Sequence, residues 1–290
     1  MVIGAVIAAL ASKRKQQSQE AEARKEAEVL KERIVGDAKS EAEVWAAVHW
    51  TKSGPEALPG PNGAWTHTSS ATGVSGDGSV IVGHGTDASV DPSKRFAFRC
   101  VRSASGWTTE LMPLTGTGEQ AGVTEAYGVS SDGNTICGRV DDYPCVWRSS
   151  TVGGPLTLEM LSTEPGVAMA TSADGHVVAG NSGTAAAYWV RTGTTWSGPI
   201  SVGPLPGFTK SVVNTISEEG SLIGGYAEEP VLGTEPYEGF LWSLSPAGTG
   251  LYSVNTLLLN QGMLPKDWYL TSVTDVMLDN GKNLMTLVGE

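Results

Sequence analysis

One phrase constrains this chain more than anything else in it. ATGVSGDGSVIVG at residues 71–83 returns as AYGVSSDGNTICG at 126–138, and more loosely as AMATSADGHVVAG at 168–180 and VNTISEEGSLIGG at 213–225. A longer version, SVTDVMLDNGKNLMTLVG, occupies 272–289. The turn glycines fall at Gly78, Gly133, Gly175, Gly220 and Gly281, 42 to 61 residues apart. Self-similarity at such a period marks an array of supersecondary units. Each unit reads as an apolar strand, a tight Asp-Gly or Glu-Gly turn that needs positive φ, and a second apolar strand ending in Gly. Asp77, Asp132 and Asp174 recur on this reading because the turns recur.

A second signature follows each hairpin: AFRC at 97–100, PCVW at 144–147, AAYW at 186–189 and GFLW at 239–242. It predicts a third strand carrying a large anchor, Trp147, Trp189 or Trp242. Trp107 and Trp196 mark where a fourth strand begins. Four strands per unit is the content of a propeller blade. AVHW at 47–50 repeats the anchor signature with no hairpin before it, and the hairpin at 272–289 has no anchor after it. The two halves predict one blade split between the termini, with Trp50 as its anchor. The fold expected is therefore all-β: a five-bladed β-propeller over residues 45–290 with a split closing blade. Gly 37, Pro 15 and Trp 9 suit many short strands joined by glycine-rich turns.

Residues 1–44 read as a separate unit. MVIGAVIAALA is too short to cross a bilayer, which takes about 20 apolar residues. Its basic cluster, Lys13-Arg14-Lys15, follows the apolar run instead of preceding it as in a secretory signal, although Ala9-Leu10-Ala11 resembles a cleavage site. Residues 12–35 are rich in Ala, Glu, Lys, Gln and Arg and predict a long α-helix. Ala23, Ala27, Leu30 and Ile34 form a narrow apolar seam on it. An apolar tip (Val2, Ile3, Val6, Ile7, Leu10) on a polar stalk reads as an attachment device. Its partners would be other protein subunits, met through the tip together with Ala27, Leu30 and Ile34; contact of the tip with a membrane is the other option.

The units at 45–290 resemble the HAF repeats of bacterial extracellular and surface proteins, A-x-x-V-S-x-D-G-x-x-V-V-G followed by A-F-x-W. The resemblance implies a propeller and is nearly silent on activity. Cys100 stands where Trp is expected, and Met277-Leu278 where Ser is expected. The N-terminal segment is similar in style to bacteriophage virion and tail components.

Charge narrows the function further. Residues 1–45 balance eight basic against eight acidic side chains, so the rest carries the whole formal net charge of −12. An acidic body without a basic stripe is unsuited to nucleic acid. Cys100, Cys137 and Cys145 read as buried thiols, with a Cys137–Cys145 cross-strand bridge as the alternative. The four histidines, His49, His67, His84 and His176, lie at no ligand spacing, and neither GxSxG nor a phosphate-binding loop occurs. No catalytic residue, metal or cofactor is expected. Trp65, Trp107, Trp196 and Trp268 are candidate sugar-stacking platforms. The reading is a structural or attachment protein of a larger assembly, a virion component, displaying its propeller loops to host glycan or protein. The alternatives are a secreted or cell-surface binding propeller and, third, a glycan-active enzyme.

Overall fold

The computed structural model describes residues 35–39, 45–61, 65, 68–86, 91, 93–114, 122–230, 237–244, 250–279 and 284–289. Within them the chain forms six separate antiparallel sheets in sequence order. The first holds β1 (Val35–Lys39), β2 (Trp45–Thr51) and β3 (Gly54–Ala57). The second holds β4 (Ser69–Val74), β5 (Val80–Gly85), β6 (Phe96–Ser103) and β7 (Gly106–Leu111). The third holds β8 (Thr124–Val129), β9 (Thr135–Val140), β10 (Tyr143–Arg148) and β11 (Thr157–Met160). The fourth adds a short fifth strand: β12 (Gly166–Thr171), β13 (Val177–Ser182), β14 (Ala185–Thr192), β15 (Thr195–Trp196) and β16 (Ile200–Ser201). The fifth holds β17 (Phe208–Ile216), β18 (Leu222–Pro230), β19 (Tyr237–Ser243) and β20 (Gly250–Ser253). The one described helix, α1 (Val254–Asn260), is capped by the Ser253 hydroxyl, which accepts from the Thr256 N–H. The last sheet is the hairpin β21 (Val273–Asp279) and β22 (Leu284–Gly289).

This corrects the expected five-bladed ring with a split closing blade. Among the described residues, no ladder joins β1–β3 to β21–β22; each is a sheet of its own, and no sheet closes. The reason is local. β2 takes β1 as its hairpin partner, Val35 opposite His49 and Lys39 opposite Trp45, where the expected fold gave it the C-terminal hairpin. The helix expected to run to residue 35 gives way to strand at Val35, and the rest of that segment lies outside the described residues. Gly36 and Asp37 are strand residues. Pairing with β2 overrides local propensity there.

Each adjacent pair of sheets shares a core. Ala47 and Leu58 pack on Ala71, Ile81, Phe98 and Cys100. Val80, Ala97 and Met112 pack on Ile136, Cys145 and Trp147. Cys137, Val146 and Leu161 pack on Val178, Ala187 and Trp189. Ala179, Val202 and Leu205 pack on Val213, Ile223 and Phe240, with Trp242 alongside. Leu241 and Val254 pack on Val273 and Val276. The anchors Trp147 and Trp189 are fully buried against the preceding sheet, and the Trp147 indole N–H donates to the Pro113 carbonyl at 2.8 Å. At the second sheet Cys100 fills the anchor position, opposite Ile81 as Trp147 is opposite Ile136. There Thr109, in contact with the Cys100 sulfur, reaches the Pro59 carbonyl instead. Trp50 holds the same position in the first sheet but is 37% exposed. The expected blade anchor is therefore not one: no described sheet precedes it to cover the indole.

Candidate functional site

The repeated phrase builds a turn whose chemistry is internal. In S-x-D-G, and in the SEEG of the fourth repeat, the serine is fully buried: Ser75, Ser130, Ser172 and Ser217. The Ser130 hydroxyl donates to Asp132 Oδ1 and accepts from the Thr135 N–H at 2.9 Å. Ser75 does the same with Asp77 and Val80, and Ser172 with Asp174 and Val177. Gly78, Gly133, Gly175 and Gly220 all take φ near +70°, and each donates its N–H to the carbonyl of the turn serine. Burial raises the pKa of Asp77, Asp132 and Asp174, but their hydrogen bonds outweigh it and leave each below the usual carboxylate range. These carboxylates are committed to their turns. Gly281 lies outside the described residues.

The x position does something else. The Gly76 N–H donates to the Ser131 carbonyl at 2.9 Å, Ser131 to Ala173 at 2.8 Å, and Ala173 to Glu218 at 2.8 Å. Equivalent turns of four successive sheets thus join in one backbone relay. A second strap crosses near the other end of the inner strands. The small residue of the anchor signature donates its N–H to a hydroxyl of the next sheet: Ala47 to Ser69, Ala97 to Thr124 and Ala186 to Ser211, at 2.7–3.0 Å. In the third sheet that residue is Pro144, which has no N–H to donate.

At this strapped end, where the first three sheets meet, lies a polar cluster that the sequence reading did not bring together. Glu125, 1% exposed, stands on β8 opposite Arg139 of β9. Its Oε1 accepts from Arg95 Nη1 at 2.8 Å, and its Oε2 from Arg139 Nε at 2.7 Å and from the Tyr127 hydroxyl. Burial alone would raise the Glu125 carboxyl. The Tyr127 and Arg95 hydrogen bonds and the Arg139 charge outweigh it and hold it at about 2. Burial and the bond to Glu125 push Tyr127 up to about 12. His84 of β5 faces Tyr127 edge-on, centroids 6.3 Å apart, and burial lowers its pKa. Asp37 of β1 reaches in from the first sheet, accepting from the Ser70 hydroxyl at 3.0 Å and the Ala71 N–H at 3.2 Å. Asp37, Ser70, His84 and Arg95 open onto a pocket of about 290 Å³. No spacing rule foretells this grouping, because Arg95, Glu125 and Arg139 come from three segments of two sheets. The one signal was an acidic residue on a strand whose repeats carry Ser70, Val167 and Val212 at the same register.

The other expected site residues fall as follows. Val2, Ile3, Val6, Ile7, Leu10, Ala27, Leu30 and Ile34 lie outside the described residues. Cys100, Cys137 and Cys145 are buried free thiols. Burial pushes Cys100 up to about 11 and Cys137 to about 12, so neither is a thiolate nucleophile at neutral pH. Trp65 and Trp107 pack against one core and Trp196 against another, whereas Trp268 is 68% exposed. Among the described residues, no group of three or more His, Cys, Asp or Glu is placed to hold a metal ion, and no helix is long and apolar enough to cross a membrane.

No family model matches the chain, and no curated protein does. Among solved structures the chain is similar to TolB from Acinetobacter baumannii, at 10% identity and a TM-score of 0.48, covering 89% of this chain and 61% of that one. It is also similar to the GH74 enzyme of Niastella koreensis, at 12% identity and a TM-score of 0.30, covering 77% of this chain and 36% of that one. The chain therefore spans less than two thirds of either protein. At these levels the likeness bears on neither activity nor ligand.

Proposed function

We propose that this chain is a structural attachment protein of a larger assembly, a phage virion component such as a tail, fibre or decoration protein, built from HAF-type repeats. Residues 1–34 dock into the particle through their apolar positions, and the stacked sheets are displayed from it. The observation that carries this reading is the backbone relay from Gly76 through Ser131 and Ala173 to Glu218. With a core between every pair of neighbours, it makes the sheets a stiff spacer. The acidic body suits display in solvent, since like charge resists self-association. The apolar tip supplies the docking energy, at about 25 cal/mol per Å² removed from water.

A second reading, a secreted or cell-surface protein binding glycan or protein, is favoured by the polar pocket beside Arg95. A glycan-active enzyme ranks third. Glycoside hydrolysis needs a carboxyl that keeps its proton near neutral pH, and Glu125, held at about 2, is a poor general acid. Intact mass and sedimentation of the native protein separate the first two readings. A chain that retains residue 1 and sediments with large particles supports attachment. A chain beginning at Ser12 and free in the medium overturns it.

A further inference from the structure

We infer that the pocket between the first and second sheets is a binding site for a neutral polyhydroxylated ring, one monosaccharide unit of a glycan. This goes beyond attachment and holds however the chain is anchored.

The walls decide the ligand class. Asp37 offers a carboxylate whose oxygens each accept one bond within the protein, leaving lone pairs for further donors. Arg95 spends Nη1 on Glu125 and is 59% exposed, so other guanidinium donors face the opening. His84 lines the same pocket, its Nδ1 buried with no hydrogen-bond partner among the described residues. Ser70 and Thr68 complete the rim. Acceptor, donor and an amphoteric ring thus lie side by side around about 290 Å³, just below the usual range for drug-sized ligands.

Among the described residues, the charges at the pocket balance: the Asp37 carboxylate is matched by the Arg95 guanidinium on the lining, and Glu125 behind it by Arg139. A site of zero net charge gives a full anion or cation little advantage. It does suit vicinal hydroxyls, each of which donates and accepts. The site is also preformed. Glu125 fixes Arg95, and Ser70 and the Ala71 N–H fix Asp37, so little ordering is left for the ligand to drive.

The test is a titration of the full-length protein with D-glucose, D-galactose and N-acetylglucosamine, with acetate and N-acetylneuraminate as anionic comparators. The readout is the NMR shift of the His84 ring protons. A single ring of about a dozen heavy atoms, at the per-atom efficiency of drug-sized ligands, binds with a Kd of about 1 mM. The expected result is saturable shifts with at least one neutral sugar and weaker response to acetate. Asp37→Asn, which keeps an acceptor for Ser70, should weaken binding by about tenfold, and His84→Gln, read by saturation transfer to the sugar protons because the reporter ring is gone, should do so independently if the first variant folds poorly. Trp268→Ala, at the exposed indole, should leave it unchanged. Three outcomes overturn the inference: no neutral sugar perturbs His84, acetate competes as well as the sugars, or Trp268→Ala abolishes binding while Asp37→Asn does not. None of them bears on whether residues 1–34 dock.

Discussion

At the scale of single residues, the buried serine of each turn carries more than the aspartate beside it. Ser130 holds the Thr135 N–H and the Asp132 carboxylate at once. Ser130→Ala leaves a buried N–H without its acceptor, at a cost of about 1–3 kcal/mol. The exposed neighbour Ser131 contributes through its backbone, so Ser131→Ala should stay within about 0.5 kcal/mol. Urea midpoints of the two variants check this, and equal losses would contradict it. Acid acts on the carboxylates. Glu125 and the turn aspartates have folded pKa values depressed below their unfolded ones. Their stabilisation is complete above the unfolded carboxylate pKa of about 4 and lost as pH falls through the folded values, for Glu125 about 2. Thermal midpoints should therefore fall steeply from about pH 5 to pH 2. Glu125→Gln should lower the midpoint at pH 7, by leaving Arg139 and Arg95 without their carboxylate, and flatten the acid slope. An unchanged slope in that variant would show that the cluster does not carry the effect.

At the scale of the element, the closing glycine of each hairpin answers a bulge. Between Ala126 and Gly128 the ladder to β9 slips by one residue, and a Cβ on Gly138 would fall on the Glu125 carbonyl oxygen. Gly83, Gly180 and Gly225 face the carbonyls of Ser70, Val167 and Val212 in the same way. Gly138→Ala should cost about 1–3 kcal/mol as an overpacked contact. Gly198→Ala, in open space on the surface, should be near neutral. Comparable losses at the two would remove the argument. The hairpins were legible because Asp-Gly between apolar runs has one economical geometry, and the third strands because a small residue and a Trp recur at fixed spacing. What the small residue does was not legible, since its strap partners Ser69, Thr124 and Ser211 lie 22 to 27 residues on, in the next sheet. The Glu125 cluster was hidden for the same reason: its members meet only after sheets stack. Val35–Lys39 misled because its flanks have helical composition while its strand partner, β2, begins only at Trp45.

At the scale of the whole molecule, the sheets contact in sequence order, and the anchors Trp147 and Trp189 are each buried on the sheet before. A stack of this kind is stabilised by nearest-neighbour interfaces. Val35–Lys39, ahead of the expected 44/45 boundary, pair with β2, and Asp37 bonds to the second sheet. Cutting after residue 40 would remove β1 and one wall of the pocket. Cutting before Val35 spares both. The direct test of the attachment claim is sedimentation and particle incorporation of the full chain beside a chain of residues 35–290. The account predicts a truncated protein that is folded, with native circular dichroism and a cooperative melt, yet monomeric and absent from particles, while the full chain is incorporated. Incorporation of the truncated chain, or a full-length chain that stays monomeric and particle-free, would contradict it.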